Sequence, residues 1–331
     1  MTIQKKKILV TGGAGFIGSN LCEHLIDQGY YVRCLDNFST GHIRNIQNLI
    51  DNFPDQFELI EGDIRNYETC LKATKDIDII LHEAALGSIP RSINDPITTN
   101  DVNVNGFLNM LVSARDSGVK RFIFATSSSV YGDSQVLPKS EDNIGHPLSP
   151  YALTKYVDEL YAEVFAKLYG IEYIGLRYFN VFGRNQDPNS VYAAVIPLFI
   201  KQYIAHKQPV INGDGQHSRD FTYIDNVVQM NMLAIETQSP DAINRIYNTA
   251  ASERTSVNDL SIMIKEALSN FDASIADIEP VHGSNRPGDI PHSYASIELA
   301  REYLGYSPYI SFKEGLRKTV EWYWSISKNI L

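Results

Sequence analysis

The sequence predicts an α/β protein, a doubly wound parallel sheet joined to a smaller mixed α/β lobe. Short apolar runs recur through its first half with room for a helix between them. A glycine-rich turn follows the first run, and the rhythm breaks after Pro188. With 331 residues, 44% of them hydrophobic, the chain has enough apolar material for a sizeable core.

The runs are Ile8-Leu9-Val10, Tyr30 to Leu35, Phe57 to Ile60, Ile77 to Leu81, Phe122 to Ala125 and Tyr173 to Leu176. Continuous apolar runs suit strands covered on both faces by crossover helices. Ile17, Leu21 and Leu25 form the buried stripe of one such helix, and residues 105–118 another that closes at Gly118. Beyond Pro188, prolines and glycines punctuate shorter elements. Two stretches are expected to return to the first lobe: a helix capped by Asp225 and running to Glu236, and a strand from Ile246 to Thr249. The expected division is therefore 1–180, completed by 225–250, against 181–224 with 251–331. Trp322 and Trp324 read as the end of a packed helix.

Charge and cysteine usage narrow the function classes. Lys and Arg number 29 against 39 Asp and Glu, a net charge of −10 that weighs against nucleic acid as a partner. The apolar run behind the first lysines stops at Val10, too short for a signal-peptide core or a membrane span. Cys22, Cys34 and Cys70 form no CxxC pair or metal spacing, so neither a disulfide framework nor a metal site is indicated. A reducing, cytoplasmic setting is expected.

Gly12, Gly15 and Gly18 stand between the first strand and its helix. A dinucleotide pyrophosphate needs backbone N–H groups at a helix N-terminus, and residues without a Cβ let the chain come close. This is the opening of a Rossmann-type sheet; the alternative is a tight turn with a helix cap. Asp36 ends the second strand, where a carboxylate accepts hydrogen bonds from the adenosine ribose. Acid there repels a 2′-phosphate, and Asn37 rather than a basic residue follows, which favours NAD. Asp63, past the third strand, either reaches the adenine amino group or closes a turn.

Tyr151 and Lys155 lie four apart on a helix announced by Ser149 and Pro150, so they share a face. Tyrosine titrates near ~10, and acting as a base at neutral pH requires about 4 kcal/mol of preferential phenolate stabilisation, for which a neighbouring ammonium has the right sign. Upstream, Ser127, Ser128 and Ser129 follow a strand at the carboxyl edge of the sheet, where ligands of open α/β sheets bind. One of these serines either bonds a reacting oxygen or belongs to a polar turn.

TGGAGFIG at Thr11 to Gly18, Asp36, SSSVYG at Ser127 to Gly132, the Tyr151–Lys155 pair and RYFNVFG at Arg177 to Gly183 together resemble the extended short-chain dehydrogenase/reductase family, especially its nucleotide-sugar 4-epimerases. The resemblance covers nearly the whole chain. It implies a triad of Ser127, Tyr151 and Lys155, and NAD held by Gly12, Gly15, Phe16, Ile17, Gly18, Asp36, Asn37, Ser39, Thr40, Gly41, Asp63, Ile64, Ala84, Ala85, Tyr151, Lys155, Tyr178 and Val181. It likewise implies a UDP-sugar bordered by Gly87, Ser88, Ser127, Ser128, Ser129, Tyr151 and Asn180. Ala194, Val195, Asn212, Arg219, Arg286 and Asp289 would form its diphosphate clasp, the arginines answering the acidic background.

The family's sugar dehydratases carry Thr-Asp-Glu at the serine stretch; this chain lacks that acid pair, which argues against elimination. Ser293 falls where related epimerases use residue size to gate the 2-substituent. A small residue there, with the Gly87 to Ser92 segment, implies UDP-N-acetylglucosamine and UDP-N-acetylgalactosamine as substrates. UDP-N-acetylhexuronic acid or UDP-glucose is the alternative, and a catalytically idle NAD-sensing protein the alternative from another class. The family often dimerises through two helices. Leu108, Leu111 and Val112, with Leu160, Val164 and Leu168, either supply such a homodimer face or pack on the sheet.

Overall fold

The computed structural model describes residues 6–189, 193–284 and 292–330, the last three without their side chains. Seven parallel strands form one sheet: β1 (Lys7–Thr11), β2 (Tyr31–Asp36), β3 (Phe57–Glu61), β4 (Ile79–His82), β5 (Arg121–Ser127), β6 (Glu172–Tyr178) and β7 (Arg245–Thr249). Their spatial order is β3-β2-β1-β4-β5-β6-β7, so the winding reverses between β1 and β4. That reversal opens a crevice at the carboxyl ends of the strands, the place where open α/β sheets take ligands.

Side chains alternate across the sheet and seed a core on each face. Ile8 and Val10 join one cluster with Leu21, Leu25 and Ile123, while Leu9 joins the other with Phe107, Met110, Phe122 and Phe124. The first cluster runs on without a break into Ile211, Leu260, Ile264, Tyr306, Leu316 and Tyr323. The strand expected at Ile246 to Thr249 is β7, which pairs in register with β6 from Arg245↔Ile174 to Thr249↔Tyr178.

Among the described residues the later half adds three two-stranded pairs: Val181–Phe182 with Thr222–Tyr223, Ser218–Arg219 with Thr255–Ser256, and Val210–Asn212 with Val281–Gly283. The helix expected from Asp225 starts at Ile224 instead. Tyr223 is its N-cap without a side-chain bond, and Asp225 lies in its first turn, 3.5 Å from the Arg184 guanidinium. Attraction between a first-turn carboxylate and the helix dipole, shared with Arg184, replaces the expected cap. Trp322 and Trp324 lie in the last helix, Phe312–Ile330, with Trp324 stacked on Phe271 at 5.3 Å. No helix among the described residues is long and apolar enough to cross a membrane.

Candidate active site

Every strand that matters ends at the same edge. Thr11 closes β1 opposite His82 of β4, Asp36 closes β2, and Ser127 of β5 stands in register with Tyr178 of β6. The turn after β1 is built for close approach. Gly12 has φ +67°, and a Cβ there would meet the Ala84 backbone at 2.9 Å; a Cβ on Gly18 would stand 2.2 Å from the Gly12 carbonyl oxygen. The Phe16–Asp27 helix begins directly behind, with Gly15 as an N-cap that offers no side-chain acceptor. Its first-turn N–H groups and dipole favour an anion.

A cavity of about 300 Å³ lies over this turn, walled by Gly12, Gly15 to Gly18, Asp36, Asn37, Ser39, Thr40, Ile64, Glu83 to Gly87 and Val102. The Asp36 carboxylate accepts the Ala14 N–H at 2.9 Å and the Phe38 N–H at 2.8 Å, which fixes it in the cavity wall. Gly41 packs beside it: a Cβ there would come within 3.0 Å of Asp36 Oδ2. Asp63 lies outside the cavity wall. Its carboxylate takes Arg65 Nη2 and Asn37 Nδ2, both at 2.8 Å, and the Arg65 bonds hold its pKa down to about 2. These bonds fix the Asp63 carboxylate in a turn between the cavity-lining Gly62 and Ile64.

Tyr151 and Lys155 occupy the start of the Pro150–Tyr169 helix, where Ser149 accepts the Ala152 N–H at 3.1 Å and Gly170 ends it at φ 70°. Such an N-cap is worth about 1 kcal/mol. Tyr151 is half-buried, whereas Lys155 is only 2% exposed. The Lys155 ammonium donates to the Ala125 carbonyl at 2.9 Å and lies 3.4 Å from Asp158 Oδ2. Burial raises the Asp158 carboxyl to about 7, against the lowering pull of Lys155. Burial, then the Lys155 charge, drives His82 down to about 3; its neutral ring bonds Thr11.

Ser127 accepts the Ser129 N–H at 3.2 Å, and the buried Ser129 hydroxyl has no partner among the described residues. The serine stretch is therefore a tight cap with hydroxyls to spare. Behind it, Arg177 bonds Glu159 through two nitrogens, at 3.0 and 2.8 Å, and the Tyr131 hydroxyl at 3.0 Å. Tyr131 in turn donates to Asn248 of β7 at 2.6 Å. This buried network fixes the loop after β5 against the Tyr151 helix.

Residues 8–250 match the NAD dependent epimerase/dehydratase family. The chain belongs to that family. A putative UDP-glucose 4-epimerase of Methanocaldococcus jannaschii is 38% identical over 95% of this chain and 97% of its own length. The UDP-glucose 4-epimerase of Thermotoga maritima, solved with UDP-glucose, superposes with TM-score 0.89 at 36% identity, covering 97% of this chain and 99% of that one. The UDP-N-acetylglucosamine 4-epimerase of Methanobrevibacter ruminantium, solved with UDP-N-acetylmuramic acid, does so with TM-score 0.88 at 37% identity, covering 98% and 99%.

A member of this family uses NAD, and the turn fits it: Gly12, Gly15 and Gly18 line the cavity without a Cβ. Asn180 holds a positive φ of 37° and donates to the Asp220 carbonyl at 2.8 Å, and Val181 follows it in a short strand. Ser88 has φ 103° and caps the Ile89–Asn94 helix, beside Gly87, whose missing Cβ would face open space. Ala194 caps the helix that Val195 begins, and Asn212 pairs with Gly283. Ser293 donates its N–H to the Ser218 carbonyl at 3.0 Å, next to Arg219. Arg286 and Asp289 lie outside the described residues.

Sequence reasoning missed Glu83. It lines the cavity, accepts the Tyr178 hydroxyl at 2.9 Å, and is raised to about 7 by burial, against the Tyr178 bond and the Lys155 charge. The signal is a carboxylate directly after the strand that closes on His82, in His82-Glu83-Ala84-Ala85.

Proposed function

We propose that this epimerase interconverts UDP-N-acetylglucosamine and UDP-N-acetylgalactosamine by inverting C4. The observation that carries the substrate is Ser293. By the family resemblance its small side chain leaves room for an acetamido group where a large residue would exclude it, and its N–H bonds the Ser218 carbonyl beside Arg219. The named relatives include both glucose and N-acetylglucosamine epimerases, so the family alone does not choose.

The residues act as follows. Gly12, Gly15 and Gly18 with the helix N-terminus hold the NAD pyrophosphate, and Asp36 holds its adenosine ribose. Bound NAD would supply the hydride acceptor and donor at the sugar C4, so that the oxidation is transient and C4 can be inverted. Tyr151 accepts and returns the proton of the sugar 4-oxygen, Lys155 stabilises the phenolate by charge, and Ser127 bonds that same oxygen. The Ala125 and Asp158 contacts fix where that charge stands. No acid side chain stands among Ser127, Ser128 and Ser129 to expel water, which supports epimerisation over dehydration. Arg219 and Arg286 answer the diphosphate.

We take 1–180 with 225–250 as the cofactor half and 181–224 with 251–331 as the sugar-nucleotide half. The three cysteines are free and buried, in keeping with a cytoplasmic reaction. The decisive experiment incubates purified protein with UDP-N-acetylglucosamine without added cofactor and follows the 4-epimer by proton NMR. Turnover confined to UDP-glucose or to UDP-N-acetylhexuronic acid overturns the substrate assignment.

A further inference from the structure

Glu83 is a carboxyl group with one oxygen engaged and one idle. Asn231 Nδ2 donates to the Tyr178 hydroxyl oxygen at 2.9 Å, and that hydroxyl donates to Glu83 Oε1 at 2.9 Å. Asn231 is itself pinned, its Nδ2 also bonding the Val227 carbonyl at 3.0 Å. This chain of bonds crosses from the Ile224–Glu236 helix through β6 to the end of β4. It fixes the Glu83 carboxyl plane without satisfying Oε2, which is buried and has no partner among the described residues. An unpaired buried carboxyl oxygen costs more than an ordinary hydrogen bond returns, so a fold that pins one in place leaves a bond to be completed by something else.

The position says what completes it. Glu83 follows β4, on the far side of the switch point from β2, where Asp36 marks the adenosine end. It also lies near enough to Lys155 for that charge to act on it. Glu83 therefore belongs to the reacting end of the cavity. The nicotinamide-ribose half of NAD presents hydroxyl and amide groups that donate to and accept from a carboxyl oxygen.

We propose that Glu83 is a positioning residue that retains the cofactor, its free Oε2 completing a hydrogen bond to the nicotinamide-ribose half of bound NAD while Tyr178 and Asn231 hold it in place. The function fits an epimerase, whose cofactor ends each cycle in the form in which it began and gains by staying bound. This inference rests on the cavity being the NAD site, and the test separates the two.

Binding of NAD and of ADP, which lacks the nicotinamide-ribose half, is measured by calorimetry on cofactor-stripped wild type, Glu83→Leu, Glu83→Gln and Tyr178→Phe. Expected for Glu83→Leu is an NAD Kd raised about tenfold, the worth of one good hydrogen bond, with ADP affinity unchanged. Glu83→Gln, which keeps polar atoms in both positions, should bind NAD within about threefold of wild type, and Tyr178→Phe should fall between. An unchanged NAD Kd in Glu83→Leu overturns the role of Glu83, as do equal losses of NAD and ADP or a glutamine variant as weak as leucine. Wild type that binds neither nucleotide overturns the cavity assignment instead.

Discussion

The Lys155 ammonium donates to the Ala125 carbonyl at 2.9 Å, tying the helix that carries Tyr151 to the strand that ends in Ser127. One bond thus sets the three candidate catalytic residues in a common frame. Tyr151→Phe removes the proton acceptor and leaves this frame intact, so turnover should fall by about 10³-fold while bound NAD is retained. Lys155→Met should lose turnover and also lower the melting temperature, because it leaves Asp158 beside an uncharged group in a dry site. The check is single-turnover kinetics beside thermal melting; a Tyr151→Phe enzyme within a few-fold of wild type sinks the assignment.

The glycine turn makes a separate demand. In Gly18→Ala the new methyl would stand 2.2 Å from the Gly12 carbonyl oxygen, a clash with backbone that no rotamer relieves. The helix start must shift, and overpacking of this kind costs about 1–3 kcal/mol. Because the shift falls on the pyrophosphate cradle, NAD content of the purified variant should drop at least about tenfold, read from nucleotide released on denaturation. Full NAD content in this variant would mean that the cradle lies elsewhere.

Much of this site was legible because its local chemistry is local in sequence. The strand, turn and helix over 8–27, and the Ser149 cap that aligns Tyr151 with Lys155, follow from spacing alone. What was not legible depends on distant pairing. Asp225 reads as a cap until Arg184, 41 positions away, is seen beside it. Leu111 is wholly buried and Leu108 and Val112 pack on the same sheet-side cluster, whereas Leu160, Val164 and Leu168 stay exposed, a division no periodicity in either helix announces. Glu83 escaped for the same reason: its partner Tyr178, and the Asn231 that holds Tyr178, lie 95 and 148 positions away in the chain.

Glu83 also carries a pH signature in the cofactor-free protein. Its folded pKa is raised to about 7 from a reference of 4.5 by burial. Below the reference value both states hold the proton and nothing is lost. Above it the unfolded chain ionises first, so wild-type stability is progressively lost as pH rises toward 7 and the loss then levels off. Per proton the slope is at most about 1.4 kcal/mol per pH unit. Glu83→Gln removes this contribution, so its melting temperature relative to wild type should climb between pH 5 and 7 and stay flat above. A difference independent of pH would show that Glu83 is ionised in the fold.

Residue size at the sugar pocket is testable by exchange. Ser293→Tyr should lower kcat/KM for UDP-N-acetylglucosamine by about 100-fold or more and leave UDP-glucose within a few-fold, since rejection by volume acts on the larger substituent alone. Parallel losses on both substrates would mean that Ser293 does not gate the 2-substituent.

The exposed apolar stripe on the Pro150–Tyr169 helix calls for a partner. Leu153, Leu160, Val164 and Leu168 are 52, 44, 47 and 67% exposed, and Ile93 and Ile97, on the short helices packed against it, are 60 and 81% exposed. Monomers rarely leave so continuous an apolar surface in water. An exposed aliphatic row of this kind, edged by the Glu163–Lys167 ion pair, suits a second copy related by a two-fold axis, with helix laid on helix. The mass in solution should then be twice the 37.2 kDa of one chain by light scattering. The double variant Leu160→Glu with Leu168→Glu, which places like charges across the axis, should run as a monomer with a lower melting temperature. Because the same helix carries Tyr151 and Lys155, that monomer should also lose part of its turnover. A wild-type chain that stays at single mass across the micromolar range removes the dimer and leaves the stripe to another partner.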